Sequence, residues 1–93
     1  MEGMRKAVIS VLGADKKGII ARVSAILYRN DVNILDISQT IVSGLFSMVM
    51  TVDISSDNCS FDTVKSLLNG LGDDMGLQIR IQRSEIFEAM HQV

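Results

Sequence analysis

Tryptophan is missing from these 93 residues, cysteine and histidine occur once each, and aromatic side chains make up only 4%. Without an aromatic cluster there is no stacking platform for single-stranded nucleic acid. A formal charge of −2 and a pI near 5.1 likewise exclude the basic face that nucleic-acid binding normally requires. Cys59 has no second cysteine with which to form an intramolecular disulfide, which fits a reducing, cytoplasmic setting. His91 has no other strong ligand at zinc-like spacing, so neither a metal site nor a cofactor is expected. No apolar run approaches the ~18 residues of a membrane-spanning helix, so no membrane partner is expected. Arg5-Lys6 ahead of Ala7 imitates a signal peptide, but Ser10 interrupts the short run and Asp15-Lys16-Lys17 ends it, which favours a strand.

What remains is an ordinary globular balance, 47% hydrophobic and 22% charged, on a chain long enough for one small domain. Such a domain buries somewhat more than ~60% of its unfolded surface, so pairing with a second copy is a natural source of added stability. Residues 5–83 are expected to form the domain, with 1–4 an N-terminal extension and 84–93 a C-terminal helical tail.

Residues 5–12 carry apolar groups on both faces, with Ala7, Ile9 and Val11 on one side and Val8, Ser10 and Leu12 on the other. They read as a central strand. From Gly18 the period changes, and Ile19, Ile20, Val23, Ile26 and Leu27 mark one helical face until Asn30-Asp31 stops it. Residues 32–42 and 45–54 read as two strands joined by a tight turn at Ser43-Gly44. The second alternates most cleanly, with Phe46, Met48, Met50, Val52 and Ile54 on one face. Ser60 is placed to cap a second helix, on which Phe61, Val64, Leu67, Leu68, Leu71 and Met75 recur at helical spacing. Gly70 and Gly72 predict a loose last turn, and Gly76 a stop. Leu77, Ile79 and Ile81 give a last strand; Ile86, Phe87 and Met90 give a short amphipathic helix.

The order β-α-β-β-α-β predicts an α+β fold, a ferredoxin-like sandwich. Four antiparallel strands have two helices on one face, plus the short C-terminal helix. The other sheet face is left open, carrying Val8, Ser10, Leu12, Ser47, Val49, Thr51, Gln78 and Arg80, a mixture suited to contact with a second copy.

The first strand hands over to the first helix through Gly13-Ala14-Asp15-Lys16-Lys17-Gly18. Asp15 is placed to cap that helix and Gly18 to clear side-chain bulk from its first turn. Unpaired N–H groups at a helix start suit a carboxylate or phosphate, but no reactive group stands beside them. The segment is not a P-loop, because its lysines precede the glycine. Cys59 lacks a nearby histidine to activate it, and Asp36 and Asp53 give no sign of converging. Within this architecture a metal carrier needs paired cysteines in the first loop, and an RNA binder needs aromatics on the central strands. Neither is present. Acylphosphatase-like hydrolysis is the enzymatic competitor, with Arg22 offered for phosphate and Asn33 for water. Arg22 lies a full turn into the helix, however, and that family's loop pattern is absent.

Gly13-x-Asp15-x-x-Gly18-Ile19-Ile20-Ala21-x-Val23, followed by Val32-Asn33-Ile34-Leu35-Asp36-Ile37, resembles the ACT domain, the small regulatory module of amino-acid metabolism. The resemblance runs from about Arg5 to Arg83. It is closest to small free-standing bacterial ACT proteins and to the repeats of the glycine-cleavage-system repressor. Lys17 stands where that family usually has proline, which leaves the loop less rigid. The resemblance implies no catalytic residue. It implies a homodimer that senses a small-molecule ligand, an amino acid, between the first loop of one subunit and the second strand of a neighbour. Carried over, the ligand-binding residues are Gly13, Ala14, Asp15, Gly18, Ile19, Asn33 and Ile34. A structural protein–protein interaction domain without a ligand is the alternative.

Overall fold

A computed structural model describes residues 5–84, which form β1 (Lys6–Ala14), α1 (Ile19–Arg29), β2 (Asn33–Val42), β3 (Leu45–Asp53), α2 (Phe61–Met75) and β4 (Leu77–Arg83). The strands pair in the order β2-β3-β1-β4, every pair antiparallel. This is the ferredoxin-like βαββαβ arrangement. The C-terminal helix expected around Ile86, Phe87 and Met90 lies outside the described residues, as does His91.

Strict alternation drives the packing. Ala7, Ile9 and Val11 of β1, Phe46, Met48, Met50 and Val52 of β3, and Leu77, Ile79 and Ile81 of β4 all turn to one face and are buried there. Val23 and Leu27 of α1 and Val64 and Leu68 of α2, each 0% exposed, close the core from above. The described residues include no buried polar or charged group, so cohesion rests on apolar burial and the backbone ladders.

The ends of the elements follow local chemistry. Asn30 stops α1 by donating its side-chain Nδ2 to the Ile26 carbonyl at 2.8 Å, and Asp31 follows at φ 60°. Ser43 and Gly44, at φ 52° and 79°, make the tight primed turn that sets the β2–β3 register. Ser60 caps α2, its Oγ accepting the Thr63 N–H at 3.3 Å.

Four expectations need correction. β1 continues through Gly13 and Ala14, because both still pair with β3 at Phe46 and Leu45. The last turn of α2 is intact to Met75; Gly72 is buried there, and a Cβ on it would fall 2.7 Å from the Leu77 carbonyl oxygen. Its glycine lets helix and strand approach. Leu67 is 43% exposed, because the buried row is Val64, Leu68, Leu71 and Met75, and Leu67 lies one residue, about 100°, around the helix from it. Asp15 does not cap α1. Gly18 occupies that position in the left-handed region, and no side chain bonds the first turn.

Candidate functional site

The corner after β1 is held from two sides. The Asp15 N–H donates to the Gly44 carbonyl at 2.8 Å, tying the loop to the β2–β3 turn. Lys16 Nζ donates to the Met75 carbonyl, tying it to the end of α2. Gly18, at φ 85°, then turns the chain into α1, its carbonyl accepting from the Arg22 N–H at 2.9 Å, and Ile19 is buried beneath. A Cβ on Gly18 would meet nothing nearer than Arg22 Cδ at 4.0 Å. The glycine is therefore required by backbone conformation, not by lack of space. Gly13 is the reverse case: a Cβ there would fall 2.6 Å from Leu77 Cδ2 and 3.2 Å from the Gly76 carbonyl, so it serves the packing of β1 on β4.

Between this corner and the far half of β2 lies a depression of about 300 Å³. Asp15, Lys16, Gly18 and Ile19 form one wall, with Ile20 and Ala21 continuing it. Gln39, Ile41 and Phe46 form the other. The volume is at the small end of the range for small-molecule sites, about 300–1,000 Å³. The first turn of α1 holds no acidic side chain and no side-chain cap, so its free N–H groups donate to no side chain of the turn and keep their positive partial charge. Asp15 is exposed beside them.

Asn33 and Ile34 are elsewhere in the same chain. Asn33 pairs with Asp53, whereas Ala14 pairs with Leu45, eight residues away along β3. At about 3.3 Å per residue the separation is roughly 26 Å. Within one chain Asp15, Gly18 and Ile19 line the depression, Gly13 and Ala14 precede them on β1 without lining it, and Asn33 and Ile34 are at the opposite end of the sheet. Lys16, Ile20, Ala21, Gln39, Ile41 and Phe46 were not anticipated as lining. The Ser43-Gly44 turn fixes Ile41 opposite Phe46, but only the β1–β3 pairing puts Phe46 opposite Gly13.

The groups offered for catalysis are engaged in other ways. Arg22 is turned to α2, 3.1 Å from Asp74 Oδ2, and Asn33 is at the remote end of β2. Cys59 packs against the core; burial, followed by the charges of Asp31 and Asp53, pushes its thiol above the ordinary 9.0, against the effect of Arg5. That keeps it protonated and poorly nucleophilic. Asp53 accepts the Ser55 hydroxyl at 2.5 Å and its N–H at 2.9 Å; those two bonds, aided by Lys6, hold its carboxyl below 3.8 despite an opposing desolvation. Among the described residues no three His, Cys, Asp or Glu side chains gather as a metal ion would need. No helix there is long and apolar enough to cross a membrane.

The family model described as the ACT domain matches residues 5–82. The chain belongs to the ACT domain family. ACT domains are regulatory, ligand-binding modules, and the match takes in the whole Gly13–Gly18 corner and all four strands but for the last residue of β4. The chain is 50% identical over 90 residues to the UPF0237 protein of Bifidobacterium longum, covering 97% of this chain and 100% of that one. An ACT domain protein from Streptococcus pneumoniae superposes with a TM-score of 0.76 at 39% identity, over 96% of this chain and 100% of that one. A structure assigned as a glycine cleavage system transcriptional repressor gives 0.77 at 25% identity, over 87% of this chain and 46% of that one.

Proposed function

We propose that this ACT domain is a cytoplasmic, non-enzymatic regulatory module that forms a homodimer and binds an amino acid at the subunit boundary. Residues 5–83 are the functional unit. Gly13, Ala14, Asp15, Gly18 and Ile19 of one subunit act with the partner's Asn33 and the partner's Ile34.

One observation carries this reading: the depression beside the start of α1 is bordered by β2, an edge strand exposed over almost its whole length. Ile37 and Ile41, 42% and 52% exposed, stand on its helix side, and among the described residues its outer N–H and C=O groups have no neighbouring strand. Antiparallel pairing of two β2 strands about their midpoint sets Val42 beside the partner's Asn33. The roughly 26 Å that separates the two halves of the site within one chain is thereby removed. The chemistry fits an α-amino acid. The free N–H groups of α1 receive the carboxylate, the exposed Asp15 carboxylate receives the ammonium, and Ile19 and Ile41 receive an aliphatic portion.

Isothermal calorimetry of the full chain against each of the common amino acids, with sedimentation in parallel, tests the reading. The expected result is a saturable signal with one or a few of them on a dimer. Silence from every amino acid with the dimer intact would instead support an interaction domain without a ligand. Turnover of a generic acyl phosphate would overturn the non-enzymatic assignment.

A further inference from the structure

The sheet face away from the helices is ordered in a way that its composition does not reveal. Across β1 and β3 each large side chain stands beside a small hydroxyl residue: Val8 opposite Thr51, Val49 opposite Ser10, Leu12 opposite Ser47. Large groups thus alternate between the two central strands and leave a zigzag ridge with a hole beside each knob. Leu12 and Val49 are 44% and 46% exposed, and a depression of about 230 Å³ opens among Ser10, Leu12, Ser47 and Val49. Arg80 borders it from β4, opposite Ser10, and makes no ion pair among the described residues. Asp36, on β2 and paired with Thr51, lies toward the other edge.

We propose that this face is a self-association surface on which a second copy of the chain docks sheet to sheet, about a twofold axis running along the strands between β1 and β3. That axis lays β1 of one copy over β3 of the other. Leu12 then enters the hole at the partner's Ser47, Val49 the hole at the partner's Ser10, and Val8 the one at the partner's Thr51. Interlocking of large on small is what close packing of two layers requires. An axis across the strands would instead set Val8 against the partner's Leu12, knob on knob. The same choice of axis places the edge bearing Arg80 over the partner's edge bearing Asp36, opposite signs, while the alternative sets each edge on its own copy. Packed sheets keep their strands within about 30° of each other, as this arrangement does.

Four strands at about 4.8 Å spacing over roughly 25 Å cover about 500 Å² on each copy, or ~1,000 Å² in all. That is near the lower limit for a specific interface, so the contact is weaker than an obligate one. It is separate from the β2 edge and independent of any ligand. The β2-edge twofold stands perpendicular to the sheet and is offset from this one by about two strand spacings, so the two contacts used together extend from copy to copy without closing.

Sedimentation velocity of the full chain, from micromolar to several hundred micromolar, tests this. The wild type is expected to grow past twice the 10.2 kDa chain mass as concentration rises, and Ser47→Arg, which fills the hole with a charged side chain at an exposed position, to stop at twice it. Ser47→Leu alone and Leu12→Ser alone should each weaken association at least tenfold. The double exchange, which restores large on small, should recover it. If the wild type is only a dimer and Ser47→Arg makes it a monomer, the face contact stands and the β2 edge contact fails. A Ser47→Arg chain with unchanged mass overturns the proposal, and a lowered melting temperature in that chain would assign the face to another part of the same chain. A monomeric wild type, or a double exchange that recovers nothing, overturns it as well.

Discussion

The two helices of this ACT domain begin in opposite ways. α2 starts from Ser60 in extended backbone, its hydroxyl accepts the Thr63 N–H, and Asp62 stands in the first turn. α1 starts from Gly18 in left-handed backbone with no side-chain cap and no acidic residue in the first turn. The positive end of α2 is satisfied within the chain; that of α1 is held in place but left open. Its mooring comes from outside the helix, through the Asp15 N–H on Gly44 and Lys16 on Met75. A helix that needs its own cap to be stable makes a poor receptor. One anchored from elsewhere can leave its amides to a ligand.

Breaking the open start should have the largest effect. Gly18→Val forces a β-branched residue to φ 85°, and is expected to cost about 2 kcal/mol and to abolish amino-acid binding. Denaturant unfolding and calorimetry check the two parts. Breaking the closed start separates stability from binding: Ser60→Ala should cost about 1 kcal/mol and leave ligand affinity unchanged. Asp15→Ala should weaken binding while stability stays within about 0.5 kcal/mol, because the carboxylate caps nothing. A loss nearer 1 kcal/mol would reinstate it as a cap. Asn33→Ala should weaken binding with little change in melting temperature; normal affinity in that variant removes Asn33 from the site. The smallest effect is one of pH and tests a contact remote from both helix starts. Because the Ser55 bonds lower the folded-state pKa of Asp53, its contribution is complete above about 3.8 and lost as the pH falls through the lower folded value. Asp53→Asn should therefore flatten the acid limb of the unfolding curve slightly, below pH 4 only.

Several of these features are legible in the chain itself. β3 reads directly, since Phe46, Met48, Met50 and Val52 alternate without exception and all four are buried. Ser43-Gly44, Ser60 and Gly76 act through their own φ angles or side chains, so their roles as turn, cap and stop needed no knowledge of neighbours. Gly13 did not read correctly because its reason is Leu77, sixty-four residues later in the chain and opposite it in the β1–β4 ladder. Asp15 misled because a residue suited to capping was three positions too early, and the left-handed turn at Gly18 took the role. The full length of β2 could be foreseen, but not that α1 leaves Ile37 and Ile41 uncovered at its edge.

The sequence by itself determined the element order, the face each strand buries and the local stops, because these depend on side-chain period and on residues a few positions apart. Only the tertiary structure decided that the β1–α1 corner meets Gln39 and Ile41 rather than Asn33, and that the large and small groups of the open face interlock. Both follow from strand register, which is set by pairings between residues distant along the chain and leaves no local trace in it.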